Sequence, residues 1–326
     1  MSLGTTWNLP NYSGELFTAD PTSTPLLSMI GGILNTANVS GGITGGIMTR
    51  NWEFPTAQLF EYPDAEQPNI SEAASATAPP ASHIDRAQQR NVVQIHQKTI
   101  DLTYHKLANT GRMQGINTAG QAPNPIDELA WQIQNSMLTA TARDVEYSFI
   151  RGTFQSSVNV NTANRTRGML EVCRDFGTSI DATNEPLSFN MLQGLYRAMA
   201  DAGAYFGNMV MFVPARLKQT ISNLYASLPG GTLPATRTQG GINITDIMTD
   251  FTNIQVIWNR AMPADTILIC DISYMSPVFL EVPGKGVLFV EPLAKEGASE
   301  RYQMYGEIGL DHGPGFLHGA ITNIGA

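Results

Sequence analysis

Two histidines near the C-terminus are the first candidates for chemistry, because imidazole and carboxylate groups together can bind a divalent metal. His312 and His318 follow Asp311 in the segment DHGPGFLHG. Their spacing matches no metal-binding motif, and Pro314 with Gly315 interrupts any regular element between them. The segment is therefore predicted to be a turn between two strands rather than a metal site.

A glycine-rich segment and several carboxylates are weaker candidates. VPGKG, around Gly284, lacks the earlier glycine and the following serine or threonine of a phosphate-binding loop, so it predicts a hairpin turn. Glu146 with Asp144, or Glu53 with Glu61, could act as acid and base, but solvated surface positions are the simpler interpretation. No motif of nucleophilic, metal or dinucleotide chemistry occurs. We predict no enzyme activity, no catalytic residues, no cofactor and no metal.

The composition favours a protein that buries its surface against other subunits. Only 14% of the 326 residues are charged, against roughly a quarter in typical soluble proteins. Charge depletion is typical of interface surface, because an unpaired charge is costly to bury between subunits. A lightly charged ordinary domain would have the same composition, so both interpretations stay open. The net charge of -9 excludes a strong general affinity for nucleic acid.

The chain is predicted to remain in the compartment where it is made. It has no apolar run of about 18 residues, the length needed to span a bilayer. Its N-terminus lacks the basic start and apolar block of a signal peptide. Cys173 and Cys270 form no CxxC pair, which fits a reducing cytoplasm, although a single disulfide between them stays possible.

Residues 1–45 are predicted to form an extended N-terminal arm. Prolines interrupt regular structure there, yet apolar side chains remain at Leu16, Phe17, Leu26 and Leu27. Apolar residues on an extended segment need a partner surface, so these four are predicted to contact a neighbouring subunit. Deletion of residues 2–30 is expected to leave the body folded and to impair assembly.

Residues 46–106 are predicted to form a long two-stranded ribbon. Both ends of this segment are strand-like, whereas its middle is rich in proline, alanine, serine and glutamate and has no lysine or arginine between residues 53 and 85. Such a middle cannot form a core and is predicted to be an acidic, irregular tip. Trp52 and Phe54, at the base of the ribbon, are further predicted contacts with a neighbouring subunit.

The returning strand of the ribbon, VVQIHQKTIDLTY, changes the phase of its apolar alternation. Val93 and Ile95 lie on one face, whereas Ile100, Leu102 and Tyr104 lie on the other. We predict that the first two contact a neighbouring subunit and that the last three face a long helix of the same subunit. A bulge or strong twist near residues 97–99 would accommodate the change of face.

A long helix and a mixed α/β lobe follow the ribbon. Helical apolar spacing and terminal signals, including the N-cap Asn124, predict the helix at residues 125–151. Alternating helical and strand patterns follow from residue 188. Strand patterns dominate after residue 242 and continue to the C-terminus.

This order of elements resembles the tailed-bacteriophage major capsid proteins, whose fold is shared with encapsulin shells. The resemblance runs from about Glu15 to the C-terminus. Several phrases look like the branch without a large fused scaffolding segment, among them LFTADPTSTPLL, RNVVQIHQKTIDLTYHKLANTG, ELAWQIQNSMLTATARDVEYSFIRG and YGEIGLDHGPGFLHGAITNI.

The resemblance implies an α+β fold with five segments. They are the arm (1–45), the β-ribbon or E-loop (46–106), a peripheral domain (107–187) with its spine helix (125–151), an α/β axial domain (188–262) and closing strands shared by both domains (263–326).

The resemblance also implies a function and a set of partners. The chain would form hexamers and pentamers of an icosahedral shell around the double-stranded DNA of a tailed phage or prophage. It would belong to the virion and assemble in the host cytoplasm. Its partners would be copies of itself, with portal, scaffolding and decoration proteins, weak non-specific contact with DNA, and no membrane.

Two alternatives stay open at this point. An encapsulin-like compartment would share the fold and would carry a pocket for a cargo peptide on its inner face. A soluble α/β enzyme with an unrecognised active site would instead be a compact monomer or small oligomer. Particle formation by the purified chain separates the enzyme from both shells.

Overall fold

A computed structural model describes most of the chain and places it in one mixed α/β arrangement. The described residues are 12–31, 46–60, 67–78, 86–108, 128–227, 235–239 and 242–325. The predicted N-cap Asn124 and the acidic residues Glu61, Asp64, Glu66 and Asp85 lie outside these ranges. Within them, no helix combines the length and apolar character needed to cross a membrane.

The N-terminal segment forms two short helices, α1 (Ser13–Leu16) and α2 (Pro25–Ile30). Pro25 occupies the first turn of α2, where its missing N–H costs no hydrogen bond. All six residues of α2 are buried. This segment therefore packs as part of the body rather than as an extended arm.

A two-stranded ribbon follows, formed by β2 (Glu53–Phe60) and β3 (Arg86–Val92) in antiparallel pairing. The register shifts between Pro55 and Ala57, which marks a bulge near the base of the ribbon. Between the two strands, a short helix α3 (Glu72–Ser75) lies in a fully exposed segment. The prediction of two paired strands is confirmed for residues 53–60 and 86–92. Residues 47–49 and 94–103, which the prediction also includes in the ribbon, pair with other strands of the body.

The predicted long helix runs continuously to Arg151 in three parts. They are α5 (Glu128–Gln132), a π-helical segment (Ile133–Leu138) and α6 (Thr139–Arg151). Gly152 follows the last turn, and only glycine fits there, because an added Cβ would collide with the carbonyl oxygens of Ser148 and Thr166. We refer to residues 128–151 as the spine helix.

A five-stranded sheet lies beside the spine helix. Its longest strand, β13 (Ser299–Asp311), pairs on one side with β4 (Gln94–Thr103), the strand that returns from the ribbon. On its other side β13 pairs first with β12 (Leu288–Pro292) and then with β11 (Ser276–Leu280). The VPGKG segment forms a tight turn, closed by a bridge between Val282 and Gly286, with positive φ angles at Gly284 and Gly286. The predicted hairpin between its flanking strands is wrong, because these strands pair one after the other with the longest strand and not with each other. The other elements are β1 (Ile47–Thr49) and α4 (Tyr104–Ala108).

A seven-stranded mixed sheet forms the second half of the molecule. Its strands, in their spatial order, are β5 (Thr178–Asp181), β14 (Gly319–Thr322), β10 (Ile267–Asp271), β6 (Met209–Val213), β9 (Asn253–Trp258), β8 (Ile242–Met248) and β7 (Ala235–Gln239). Its central strands β6 and β10 are fully buried, as their unbroken apolar sequences predict. The helices α7 (Met169–Asp175), α8 (Phe189–Asp201) and α9 (Ala215–Ala226) pack on this sheet.

The seven-stranded sheet separates two hydrophobic cores. On one face, Met211 and Ile269 pack with Leu195 of α8 and Leu217 of α9. On the other face, Phe212 and neighbouring side chains join a larger core with α2, the spine helix and the five-stranded sheet. The sheet thus connects the two halves of the molecule through continuous apolar packing.

A buried carboxylate joins three distant parts of the chain. Glu146 of α6 is 1% exposed, and its oxygens accept hydrogen bonds from the amides of Leu26 (3.0 Å) and Leu27 (2.7 Å) and from the side chain of Asn259 (2.5 Å). Burial raises the pKa of Glu146 to about 7, although the three donors favour its charged form. The expected surface position is wrong for Glu146, whereas Asp144 lies near the surface and pairs with Lys98.

The turn predicted at residues 311–318 is confirmed, and its two histidines are fully buried. His312 Nδ1 lies 2.7 Å from the carbonyl oxygen of Gly313, and His318 Nε2 lies 2.7 Å from that of His312. Because a carbonyl oxygen can only accept, each imidazole donates the N–H at that nitrogen, which determines its tautomer. Among the described residues, no three metal-ligating side chains meet.

Buried histidines make the fold sensitive to acid. Burial lowers the pKa of His96, His312 and His318 to about 4, so the unfolded chain binds more protons than the folded chain between pH 6.5 and 4. Their contribution to stability is present above pH 6.5 and is lost as the pH falls to 4. Glu146 and Asp311, whose pKa values burial raises to about 7 and about 6, act in the opposite direction.

We expect His96→Gln to flatten this acid dependence. The change removes one titrating group near Asp144 and Lys98 and keeps a polar side chain of similar size. Between pH 6.5 and 4 the variant should lose ~2 to 3 kcal/mol less unfolding free energy than the unmodified chain. Chemical denaturation across this pH range measures the difference. Identical slopes for both proteins would show that His96 does not contribute.

Candidate assembly surfaces

The four apolar residues predicted to contact a neighbouring subunit from the arm lie in this subunit's own core. Leu16, Phe17, Leu26 and Leu27 are at most 1% exposed. The ring of Phe17 packs edge-to-face on Phe279 of β11, with 6.0 Å between ring centroids. The prediction is wrong for these four residues, because two short helices fold them back onto the body and Glu146 binds the first amides of α2.

At the base of the ribbon, two more predicted contacts are internal. Phe54 is 6% exposed and Val93 is 1% exposed, and both pack with Val278 of β11. The amide of Val93 donates to the carbonyl of Trp52 at 2.9 Å, which joins the two sides of the ribbon at its root. The prediction of an inter-subunit contact is therefore wrong for Phe54 and Val93.

The other two predicted contact residues are available on the surface. Trp52 is 42% exposed and Ile95 is 55% exposed. Ile95 lies on the outward face of β4, whereas Ile100 and Leu102 lie on the inward face, as predicted. Contact of Trp52 and Ile95 with a neighbouring subunit stays a prediction.

The break in the strand pattern lies at Val93 and not at residues 97–99. Val93 separates β3, which pairs within the ribbon, from β4, which pairs with β13. The buried imidazole of His96 continues the inward face that Ile100 and Leu102 occupy, so the alternation of β4 is unbroken. Tyr104 begins α4, is 44% exposed and contacts Lys295, so it is not buried with Ile100 and Leu102.

A surface groove lies between the start of β4 and the last turns of the spine helix. It encloses about 520 Å³. The exposed side chains of Ile95 and Tyr147 border it, and the buried His96 lies at its base with Nε2 unpaired among the described residues. The sequence patterns did not identify this groove, because residues from separate elements form it.

The charge of the groove is positive. Arg151 and Arg165 line it, whereas its acidic residue, Asp144, forms an ion pair with Lys98 at 2.5 Å. The Arg151 guanidinium lies over the ring of Tyr147, 5.4 Å from its centroid. A shallow basic groove with apolar edges can accept an extended, acidic protein segment.

Solved structures with a similar fold come from protein shells. This chain is similar to the holo-SrpI encapsulin complex from Synechococcus elongatus PCC 7942, with 13% identity, 86% of this chain and 85% of that chain covered, and a TM-score of 0.54. It is also similar to the capsid of the native GTA particle, with 14% identity, 86% of this chain and 87% of that chain covered, and a TM-score of 0.53. A structure from Mycobacterium phage Patience is similar with 9% identity, 96% of this chain and 89% of that chain covered, and a TM-score of 0.52. These similarities define the fold as that of phage capsids and encapsulins.

A family comparison gives the more specific result. The model of the SU10 major capsid protein family matches residues 1–325, and this chain belongs to that family. It is a major capsid protein, a structural subunit of a phage capsid shell. Among curated proteins, none matches this sequence. The resemblance drawn from the order of elements is confirmed.

Proposed function

We propose that copies of this chain assemble into hexamers and pentamers of an icosahedral shell that encloses the double-stranded DNA of a tailed phage or prophage. The observation that supports this most strongly is the family match over residues 1–325. The proposed mechanism is burial of surface between identical subunits, repeated around closed rings, and no catalytic step is required. Assembly would occur in the host cytoplasm.

The segments have distinct proposed roles. Residues 188–262 would meet their copies at the centre of each capsomer, and the spine helix with the closing strands would form its periphery. Leu16, Phe17, Leu26 and Leu27 of the arm would not carry contacts between subunits, because these four side chains are internal. Portal, scaffolding and decoration proteins are further proposed partners.

The ribbon is proposed to lie across an adjacent subunit, with its tip near the basic groove. Charge complementarity supports this placement. Between residues 61 and 85 the chain has five acidic residues and no lysine or arginine, whereas Arg151 and Arg165 line the groove. The described part of the tip is exposed throughout and includes Ile70, which is 66% exposed and could meet Ile95 and Tyr147.

A matched pair of substitutions tests the surface role of Ile95. Val93→Ala should lower the unfolding free energy by about 1 to 3 kcal/mol, because Val93 is buried in its own subunit. Ile95→Ala should change it by less than about 0.5 kcal/mol and should reduce the assembled fraction. Denaturation and sedimentation measure the two effects. Unchanged assembly of the Ile95→Ala protein would show that this residue is not an inter-subunit contact.

The enclosed cargo distinguishes a phage shell from an enzyme compartment. Particles purified from cells that produce the phage should protect double-stranded DNA from added nuclease. A net charge of -9 suits a wall that encloses DNA without binding it tightly. Particles that contain a protein cargo and no DNA would favour the compartment and contradict this proposal.

A further inference from the structure

An exposed cluster of aromatic and methionine side chains lies at one end of the seven-stranded sheet. We call it the strand-end patch, and it consists of Tyr205, Phe206, Met248, Phe251 and Phe316. Met248 is 85% exposed, Tyr205 is 69% exposed and Phe251 is 46% exposed. Neither the groove nor the ribbon includes these residues, so they form a separate surface.

The topology of the sheet brings these residues together from three separate connecting segments. Tyr205 and Phe206 precede β6, Met248 ends β8, Phe251 precedes β9, and Phe316 precedes β14. Pairing of Val210 with Gln255, and of Met248 with Asn253, places these strand ends at the same edge of the sheet. No sequence pattern marks the cluster, because its members belong to different connecting loops.

The rings already contact one another in pairs. Phe206 stacks on Phe251, with 5.2 Å between centroids and 14° between ring planes. Tyr205 packs edge-to-face on Phe316, with 6.2 Å between centroids. Aromatic and methionine side chains are enriched at protein interfaces, and the aromatic rings bury large areas with few rotatable bonds.

Hydrogen bonds hold the supporting loops in place. The carboxylate of Asp271 accepts from the amides of Asn208 (3.4 Å) and Ser273 (3.0 Å). The tight turn that carries Phe251 is closed by a bond of 2.6 Å from the hydroxyl of Thr249 to the carbonyl of Thr252. A preorganised surface loses little conformational entropy when a partner binds.

The backbone at Phe206 supports a role beyond folding. Its φ of +50° lies in the left-handed region, which a bulky residue rarely adopts. This conformation costs of the order of 1 to 3 kcal/mol and places the ring over Phe251 in a partly exposed position. Strain of this kind is concentrated at functional sites.

The size of the patch indicates the kind of partner. At about 200 Å² for each large side chain, the exposed fractions of Tyr205, Met248 and Phe251 sum to roughly 400 Å² of mainly apolar surface. This is about half of the ~800 Å² that one partner contributes to a stable standard interface. The patch is too small to hold an isolated dimer, but it suits a contact repeated around a closed ring, where every subunit is held on two sides.

We propose that the strand-end patch is a lateral contact between adjacent copies of this chain within a capsomer. This inference rests on the proposed function and specifies one of its surfaces. A ring uses two unlike faces of each subunit, so the patch would meet a different surface of the next copy and not a second patch.

Substitution of Met248 tests the proposal with a matched control. Met248→Glu would place a charge in the contact and should reduce the assembled fraction about tenfold or more at equal concentration, whereas Met248→Leu should assemble like the unmodified chain. The thermal midpoints of both variants should match, because Met248 is exposed. If Met248→Glu assembles normally while the unmodified chain assembles, the patch is not a contact and the proposed function stands. If the unmodified chain never assembles, both proposals fail.

A photo-crosslinking amino acid at position 248 provides a second measurement that does not depend on loss of assembly. Met248→p-benzoylphenylalanine should yield a covalent product between subunits in assembled particles, joined to residues outside the patch. Peptide mapping identifies the joined residues. Assembled particles with no product between subunits, or with products only between two copies of residue 248, would overturn the lateral contact.

Discussion

Deletion of residues 1–31 is expected to prevent the chain from folding, rather than only to impair assembly. The deletion removes six buried apolar side chains from the larger core, namely Leu16, Phe17, Leu26, Leu27, Met29 and Ile30. At ~1.5 to 3 kcal/mol each, their loss would cost about 9 to 18 kcal/mol, which equals or exceeds the total stability of a typical domain. Circular dichroism and thermal unfolding of the truncated protein measure this effect.

A shorter deletion is the matched control for this prediction. Removal of residues 1–11 keeps all six side chains and the amides that bind Glu146, so the shortened chain should unfold cooperatively at nearly the original midpoint. A cooperative, near-native transition after deletion of residues 1–31 would show that α1 and α2 are dispensable for folding. Such a result would support the prediction that residues 1–45 form an arm separate from the folded body.

Glu146→Ala is expected to lower the unfolding free energy by about 3 to 5 kcal/mol. The change leaves the amides of Leu26 and Leu27 and the side chain of Asn259 without their buried acceptor, and each unpaired group costs about 1 to 3 kcal/mol. It also disconnects α2 from the spine helix and from the end of β9. Denaturant titration near neutral pH measures the loss.

A control variant separates hydrogen bonding from charge at this position. Glu146→Gln keeps one acceptor oxygen and should be destabilised less than the alanine variant. Because the pKa of Glu146 is raised to about 7, its folded-state protonation favours stability at low pH, and this contribution declines as the pH rises from about 4.5 to 7. The glutamine variant should lack this dependence. A loss below about 1 kcal/mol for Glu146→Ala would contradict the proposed hydrogen-bonding role.

Local signals in the sequence predicted much of the fold. Helical spacing and Gly152 marked the end of the spine helix at Arg151, and continuous apolar runs marked the buried strands β6 and β10. The VPGKG turn and the turn containing His312 also follow from local chemistry, since glycine and proline determine the backbone there. These features depend on neighbours in sequence, and a sequence pattern can therefore show them.

The errors concern contacts between residues that are distant in sequence. Proline interrupts regular structure in most positions, yet Pro25 begins α2, a helix stabilised by packing and by Glu146, which lies 120 residues from Leu26. In the sequence Glu146 has the pattern of a surface residue, because the two backbone amides that it binds are far away along the chain. Residue type alone likewise cannot decide whether Phe17 packs within one subunit or between two.

The sequence predicts the candidate assembly surfaces only in part, because these surfaces also combine residues that are distant in sequence. The outward position of Ile95 follows from strand alternation, and the exposed ribbon follows from its polar composition. The groove and the strand-end patch are assembled from residues that separate elements bring together, such as Ile95 with Tyr147 and Phe206 with Phe251. Their identification required the tertiary structure.

Negative-stain electron microscopy of the purified chain, combined with sedimentation velocity, tests the central claim of self-assembly most directly. We expect rings with five or six subunits, and sheets, tubes or closed particles as concentration or crowding increases. These species should be replaced by smaller ones in the Met248→Glu protein. A chain that remains a folded monomer at every salt concentration and under crowding would contradict the account of a shell-forming subunit.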